Sequence, residues 1–299
     1  MTLAHAIKAT ERSLKITALR MGVRAGAVIA PTRTAESIAR RFFVTSRPPL
    51  QRQQFGGAKP QVSVVAVPDG KVATYRWGAV GRAPTVLLTH GWNGWAQQME
   101  AFVAPLTERG FAVLAFDHVA HGLSDGESAS LPAMIRSTER VVAQTPNLVG
   151  AIAHSLGAAA LASVLASSRR DLAGAVLIAP PADPRPYLSG MARMLGAPER
   201  LLPQIQARAE QIAGVAFERL VMHPWLARRI RTPLLIAHDI GDRDVPIAHG
   251  YAYTVGARTR LLATDGLGHT RVLRDRHVVD SAVEFVSRGA TKDALALAA

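Results

Sequence analysis

The segment that most constrains this chain is Leu148-Val149-Gly150-Ala151-Ile152-Ala153-His154-Ser155-Leu156-Gly157, which runs on through the small and apolar residues 158–166. An apolar run of strand-forming type stops at Ser155, and a helix-forming run begins at once. Small residues flank the serine: Ala153 lies two positions before it and Gly157 two after. This is the pattern of a nucleophile elbow, a serine held on a sharp strand-to-helix turn where bulky neighbours would clash. The helix start behind it offers free backbone N–H groups and the positive end of a dipole. Ala153 stands where the G-x-S-x-G pattern has its first glycine, a change that removes little room.

A serine hydroxyl needs a base, and the base needs an orienting carboxylate. Downstream, residues 232–238 read as a buried strand that runs into Asp239-Ile240-Gly241-Asp242-Arg243-Asp244-Val245-Pro246. Residues 259–264 read as another strand, ending in the glycine-bracketed loop Asp265-Gly266-Leu267-Gly268-His269. Ser155, Asp242 and His269 therefore each follow the C-terminal end of an expected strand, the edge where open parallel sheets form their sites. Asp183 and Asp244 are rivals for the acid. Pro184 and the onset of a different sequence pattern weigh against the first, and the spacing to Val245-Pro246 weighs against the second.

These segments resemble the α/β-hydrolase family over roughly residues 61–299. Thr85-Val86-Leu87-Leu88-Thr89-His90-Gly91-Trp92 is similar to the family's strand and HG-x turn. Val113-Leu114-Ala115-Phe116-Asp117 with His121-Gly122-Leu123-Ser124 is similar to its next strand and GHGxS loop. Gly241 to Pro246 resembles the acid loop and Gly268-His269 the histidine loop. The pair His238-Asp239 departs from the family's usual His-Gly. The resemblance implies a mostly parallel sheet with helices on both faces and a triad of Ser155, Asp242 and His269. It also implies an oxyanion hole from the backbone N–H groups of Trp92 and Leu156, with no cofactor or metal. Cleavage of a carboxylic ester of a small to medium apolar substrate is the expected reaction. Thioesterase, lactonase, amidase and acyltransferase chemistry use the same triad, and fold resemblance does not separate them. A non-catalytic ligand-binding receptor and a membrane-surface lipid hydrolase are the other readings.

The coarse layout predicts a hairpin of residues 61–67 and 71–77 about Pro68-Asp69-Gly70, and strands at 85–89, 112–116, 148–153 and 174–179. Helices are expected near 95–109, 131–145 and 155–168. Residues 182–230 carry helical patterns without a convincing strand, where the family inserts a cap; here it is short and apolar. His118-x-x-His121, with Asp125 beyond, has the look of metal ligands, but a pair without a third ligand is weak. His90 is expected to shape the oxyanion turn, and His154 to be a pocket-wall or structural residue rather than a base.

The chain has 299 residues, 48% of them hydrophobic, enough for one enzyme-sized domain. It has no cysteine, which rules out disulfides and cysteine–zinc sites and fits a reducing, cytoplasmic compartment. No apolar run is long enough to span a bilayer, and no secretory signal stands out. The net charge of +13 is uneven: residues 1–60 hold eleven Lys/Arg against Glu11 and Glu36, leaving +4 on the remaining 239 residues. No nucleic-acid motif accompanies the charge and aromatics are only 5%, so nucleic-acid binding is not expected.

Residues 1–60 read as a basic helical extension, and 61–299 as the main domain. Leu3, Ile7, Leu14, Ala18, Met21, Ala25 and Val28 fall on one helical face, with Lys8, Arg12 and Lys15 opposite. Pro31 should end this helix, a second should cover 34–43, and 51–59 should be linker. Two roles suit the first helix: packing against the body or a second subunit, or lying on an anionic membrane as a peripheral anchor. The packed reading is preferred. A small-molecule acyl substrate is the partner expected, and the oligomeric state stays open.

Overall fold

A computed structural model describes residues 3–49, 54–78, 83–168, 170–256 and 258–298, with the side chains of 3–15 and 291–298 outside the description. Residues 50–53 of the expected linker also lie outside it. The elements run α1 (Leu3–Ile29), α2 (Pro31–Phe43), β1 (Gln61–Val67), β2 (Gly70–Trp77), β3 (Thr85–Thr89), α3 (Val103–Glu108), β4 (Ala112–Phe116), α4 (Leu131–Ala143), β5 (Leu148–His154), α5 (Ser155–Ser167) and β6 (Gly174–Ile178). They continue with α6 (Arg185–Met194), α7 (Leu202–Ala213), α8 (Pro224–Ala227), β7 (Leu234–Asp239), α9 (Ile247–Tyr251), β8 (Thr259–Thr264), α10 (Gly268–Arg271) and α11 (Arg276–Ala298).

The chain divides into two units, Met1–Val44 with Asp183–Val221, and Thr45–Ala182 with Met222–Ala299. This differs from a boundary at residue 60 in two ways. The N-terminal helices share a unit with the expected cap, and residues 222–230 belong with the sheet.

In the larger unit, eight strands form one sheet in the order β1-β2-β4-β3-β5-β6-β7-β8. β1 pairs antiparallel with β2, and β2 with β4; β4 through β8 are joined in parallel. Alternation along each strand sends side chains to opposite faces. Leu87, Leu114, Ala151, Leu177 and Ile236 join one buried layer with Leu161 and Leu165 of α5. Val86, Leu88, Val113, Ile152, Val176 and Ala237 join the other, with Phe102, Leu106 and, from α11, Val278 and Val283. The central strands are apolar on both faces because both are covered. The helix expected over 95–109 is instead a 3-10 segment, Ala96–Phe102, followed by α3. A continuous α-helix would require Pro105 to donate to the Ala101 carbonyl, and proline has no N–H; in the first turn of α3 none is needed.

The smaller unit has its own core: Ala27 of α1, Ala35, Ile38, Ala39 and Phe43 of α2, Leu188 and Ala192 of α6, and Ile205 and Ala209 of α7. Pro31 separates α1 from α2, as its missing N–H dictates. The packed face of α1 is not the apolar stripe read from the sequence. Ala18, Met21, Ala25 and Val28 are exposed, while Val23, Gly26 and Ala27 turn inward. The reason is steric. A methyl group on Gly26 would lie 2.6 Å from Thr34 Oγ1, so α1 and α2 approach more closely than large side chains permit. Leu3, Ile7 and Leu14 of the same stripe, and Lys8, Arg12 and Lys15 opposite, lie outside the described side chains.

Substitutions on the two faces of α1 separate these readings. Ala27→Leu should lower stability by about 1–3 kcal/mol through overpacking, whereas Met21→Ser should change it by no more than about 0.5 kcal/mol. Urea midpoints at constant slope measure both. The reverse order would mean that the stripe packs.

Candidate active site

β5 ends at His154 and α5 begins at Ser155, whose φ of +51° lies in the left-handed region. For a residue with a Cβ this conformation is strained and persists only where the surroundings impose it. Here they do. A methyl on Gly157 would overlap the His90 carbonyl, and one on Gly91 would lie 2.6 Å from Ser155 Cβ. The serine turn and the His90–Trp92 turn after β3 are thus pressed together by two glycines. Ala153 is fully buried in the layer that α5 covers, so a methyl is accommodated at that elbow position.

The structure brings Ser155, His269 and Asp242 into one hydrogen-bonded chain. His269 Nε2 lies 2.9 Å from Ser155 Oγ, and its Nδ1 lies 2.8 Å from Asp242 Oδ2. Ser155 is 8% exposed and Asp242 5%, so the chain is shielded from water at both ends. Asp242 Oδ1 accepts from the backbone N–H groups of Asp244 and Val245, each at 2.9 Å. Burial opposes the charge on Asp242, but the hydrogen bonds from His269, Val245 and Asp244 outweigh it and hold its pKa below the usual carboxylate value. With Asp242 ionised, His269 Nδ1 carries the proton and Nε2 is left to accept from the serine.

The rival acids have other partners. The Asp183 carboxylate is held by Arg185 within the smaller unit, at 2.7 Å. Asp244 is exposed and lends its backbone N–H to Asp242. Asp242, Asp244 and His269 do offer one ligand atom each within 4.8 Å of one another. Two of those three residues already hydrogen-bond each other, which is the chemistry of an acid–base pair rather than a built cation site. His118 and His121 are not brought into a metal cluster among the described residues. His118 Nε2 meets Thr89 Oγ1 at 2.6 Å, and His121 Nδ1 meets its own loop at the Val119 carbonyl, 2.9 Å.

Leu156 follows Ser155 directly, and Trp92 follows Gly91, the glycine that faces the serine. Leu156 is the second residue of α5, and N–H groups of a first helical turn have no intrahelical acceptor. Trp92 follows Gly91 directly, and its ring packs edge-on to His121 with centroids 5.3 Å apart. His90 shapes this turn. Its Nε2 accepts from the His118 N–H at 3.0 Å, which fixes the proton on Nδ1, and Nδ1 donates to the Gly91 carbonyl at 2.7 Å.

Three buried groups position the site in ways the sequence did not disclose. Asp117 accepts from Tyr75 Oη at 2.7 Å, Ala96 N–H at 2.7 Å and Leu123 N–H at 2.9 Å, tying β2, the segment after β3 and the loop after β4 into one knot. Asp239, at the departure from His-Gly, accepts from Gly241 N–H at 3.0 Å and from Thr264 Oγ1 and Leu267 N–H at 2.9 Å. It therefore clamps the acid loop to the loop that carries His269. His154 is the third: its Nε2 lies 2.9 Å from the His269 carbonyl, which only accepts, so Nε2 donates. Burial, with the neighbouring His269, pushes the His154 pKa down to about 3, and the ring is neutral.

The comparisons fit this geometry. The family model described as "Serine aminopeptidase, S33" matches residues 82–228, a span that holds Trp92, Ser155 and Leu156 and ends before Asp242 and His269. The structure is similar to an esterase from Pyrococcus furiosus, with a TM-score of 0.58, 21% identity, and 82% of this chain and 98% of that chain covered. The chain has the α/β-hydrolase fold. The structure is also similar to a membrane phospholipase A described as a bacterial virulence factor, with a TM-score of 0.59, 17% identity, and 94% of this chain and 99% of that one covered. A third similar structure is Est1E from Butyrivibrio proteoclasticus, solved with ferulic acid bound; its TM-score is 0.58 at 18% identity, with 77% and 98% covered. No curated protein sequence matches the chain.

If His154 holds the His269 loop, His154→Leu should lower kcat by about 10²-fold, the scale of a reacting group misplaced by about 1 Å. His154→Gln, whose amide can still donate, should recover most of it. Equal activity in both variants would remove the positioning role.

Burial also holds His90 down to about 4, His121 down to about 3, and His118 well below the imidazole range. An unfolded imidazole takes up its proton near about pH 6.5. Below that pH the unfolded chain binds more protons than the folded one, so stability falls as pH drops toward 4. Each such histidine contributes a slope of about 1.4 kcal/mol per pH unit. Urea midpoints at pH 7 and pH 5 should differ, and less so for His121→Asn. A midpoint independent of pH would contradict neutral burial.

Proposed function

We propose that this protein is a serine hydrolase that cleaves a carboxylic ester of a small to medium apolar substrate. The observation that carries the reading is the Ser155–His269–Asp242 chain, at 2.9 and 2.8 Å, built on a strained serine turn at the C-terminal edge of the sheet. Esterase and phospholipase descriptions among proteins of the same fold favour an ester over other acyl bonds.

In this reading Ser155 Oγ attacks the acyl carbon while His269 Nε2 takes its proton. The carbonyl oxygen becomes an oxyanion that accepts from the backbone N–H groups of Trp92 and Leu156. Asp242 stays ionised, keeps the proton on His269 Nδ1, and stabilises the imidazolium as it forms. His269 then returns the proton to the leaving alcohol, and the acyl group stays on Ser155. Water, deprotonated by His269, attacks the acyl-enzyme; the acid leaves and Ser155 recovers its proton. His154 cannot replace His269 as base, because its Nε2 proton is committed to the His269 carbonyl and its depressed pKa makes it a weak acceptor.

A fluorophosphonate should label Ser155 alone, and a series of p-nitrophenyl esters of rising chain length should report the acyl preference. Asp242→Asn should lower kcat by on the order of 10⁴-fold, while Asp183→Asn and Asp244→Asn stay within a few-fold of the parent. Ser155→Ala should abolish turnover. Full ester turnover by Ser155→Ala, or faster cleavage of aminoacyl p-nitroanilides than of every ester, would overturn the proposal.

A further inference from the structure

Among the described residues, one face of α1 in the smaller unit is exposed. α1 packs through Val23, Gly26 and Ala27, and Arg20 Nε donates to the Met194 carbonyl at 2.9 Å. At about 100° per residue, Ala18, Met21, Ala25 and Val28 fall within an arc of about 80° on the other side of the helix. Met21 is 62% exposed, Val28 71%, and Ile29 beside them 82%. Leu3, Ile7 and Leu14 share this spacing in the sequence, and the described part of the stripe, Ala18 to Ile29, runs about 17 Å along the helix. Arg24, exposed, stands at the stripe's border, whereas Arg20 lies nearer the packed side.

We propose that α1 lies flat on an anionic lipid surface, its Ala18–Met21–Ala25–Val28 face in the headgroup–acyl boundary and Arg24 among the lipid phosphates. Charge selects this occupant. Residues 1–44 carry eight Lys/Arg and two acids, so pairing these segments from two copies would bring two like net charges together. A lipid phosphate layer presents the opposite sign to that net charge. No helix among the described residues is long and apolar enough to cross a membrane, so the contact is a surface one. The packed face stays engaged with α2 while the stripe is buried in lipid, and no unfolding is required. The proposal does not rest on the ester reading, because lipid binding is measured without turnover.

The test is co-sedimentation of the full-length protein with vesicles of phosphatidylcholine alone and of phosphatidylcholine mixed with phosphatidylglycerol. Binding should require the anionic lipid and fall as salt screens it. Met21→Asp combined with Val28→Asp should lower the partition coefficient by about ten-fold or more, with the melting curve and circular dichroism spectrum unchanged. Arg24→Gln should weaken binding at low salt and leave the high-salt remainder alone. Equal binding to both lipids, or binding indifferent to the Asp substitutions, would overturn the proposal. So would a dimer in sedimentation velocity that Met21→Asp dissociates while the parent ignores vesicles; the stripe would then belong to a second copy.

Discussion

The structure turns on the backbone of Ser155. A non-glycine residue at φ +51° is held against its own preference, and the fold meets that cost through contacts that no larger residue could make. Gly157 lets α5 pass the His90 carbonyl, and Gly91 lets the β3 turn reach the serine. The strain is not isolated. Asn93, Ala120 and Ala179 also adopt left-handed φ values, and they follow β3, β4 and β6 as Ser155 follows β5. Four neighbouring strands thus end in strained turns at the same edge of the sheet. Buried apolar strands locked in parallel register form the rigid support that makes this possible.

Behind that edge lies a layer of polar groups that water does not reach. Asp117 and Asp239 are each 1% exposed, and each gathers donors from segments far apart in sequence. They differ electrostatically. Burial prevails at Asp117 and raises its pKa, while at Asp239 the N–H groups of Gly268, Leu267 and Gly241 and the Thr264 hydroxyl overcome burial and lower it. The histidines of the layer are kept neutral, so their ring nitrogens serve as fixed donors and acceptors instead of charges. Among the described residues, His118 Nδ1, His121 Nε2 and His154 Nδ1 meet no hydrogen-bonding protein atom.

The sheet was legible in the sequence because its strands are short apolar runs bounded by turn residues, and a buried parallel strand has no other way to look. The candidates Ser155, Asp242 and His269 follow such runs by one, three and five residues, so locating each strand narrows the search for the residue after it. Asp117 and Asp239 were not. Each sits in a recognisable loop, but its partners are backbone N–H groups and hydroxyls that the linear chain does not associate with it. His154 was read as structural from its place beside the serine, while its bond to the His269 carbonyl, across 115 positions, needed the fold. The 3-10 segment before α3 could have been anticipated from Pro105, which a continuous α-helix does not tolerate.

The instructive difference is α1. Its periodicity gave the helix and its end at Pro31, yet the face that packs is the one a hydrophobic pattern ranks lower. Apolar periodicity identifies which side of a helix avoids water; it does not say what replaces the water. Gly26 and Ala27 pack because close backbone approach to α2 needs small residues. Once that face is occupied, the larger residues must point away. A helix with one small-residue face and one large apolar face can meet two different surroundings at once. Residues 1–60, of which α1 is part, carry +9 of the net charge of +13. Basicity and apolar exposure are thus concentrated in a segment that supplies no member of the Ser155–His269–Asp242 chain, which leaves its surface free to be set by what it touches outside the chain.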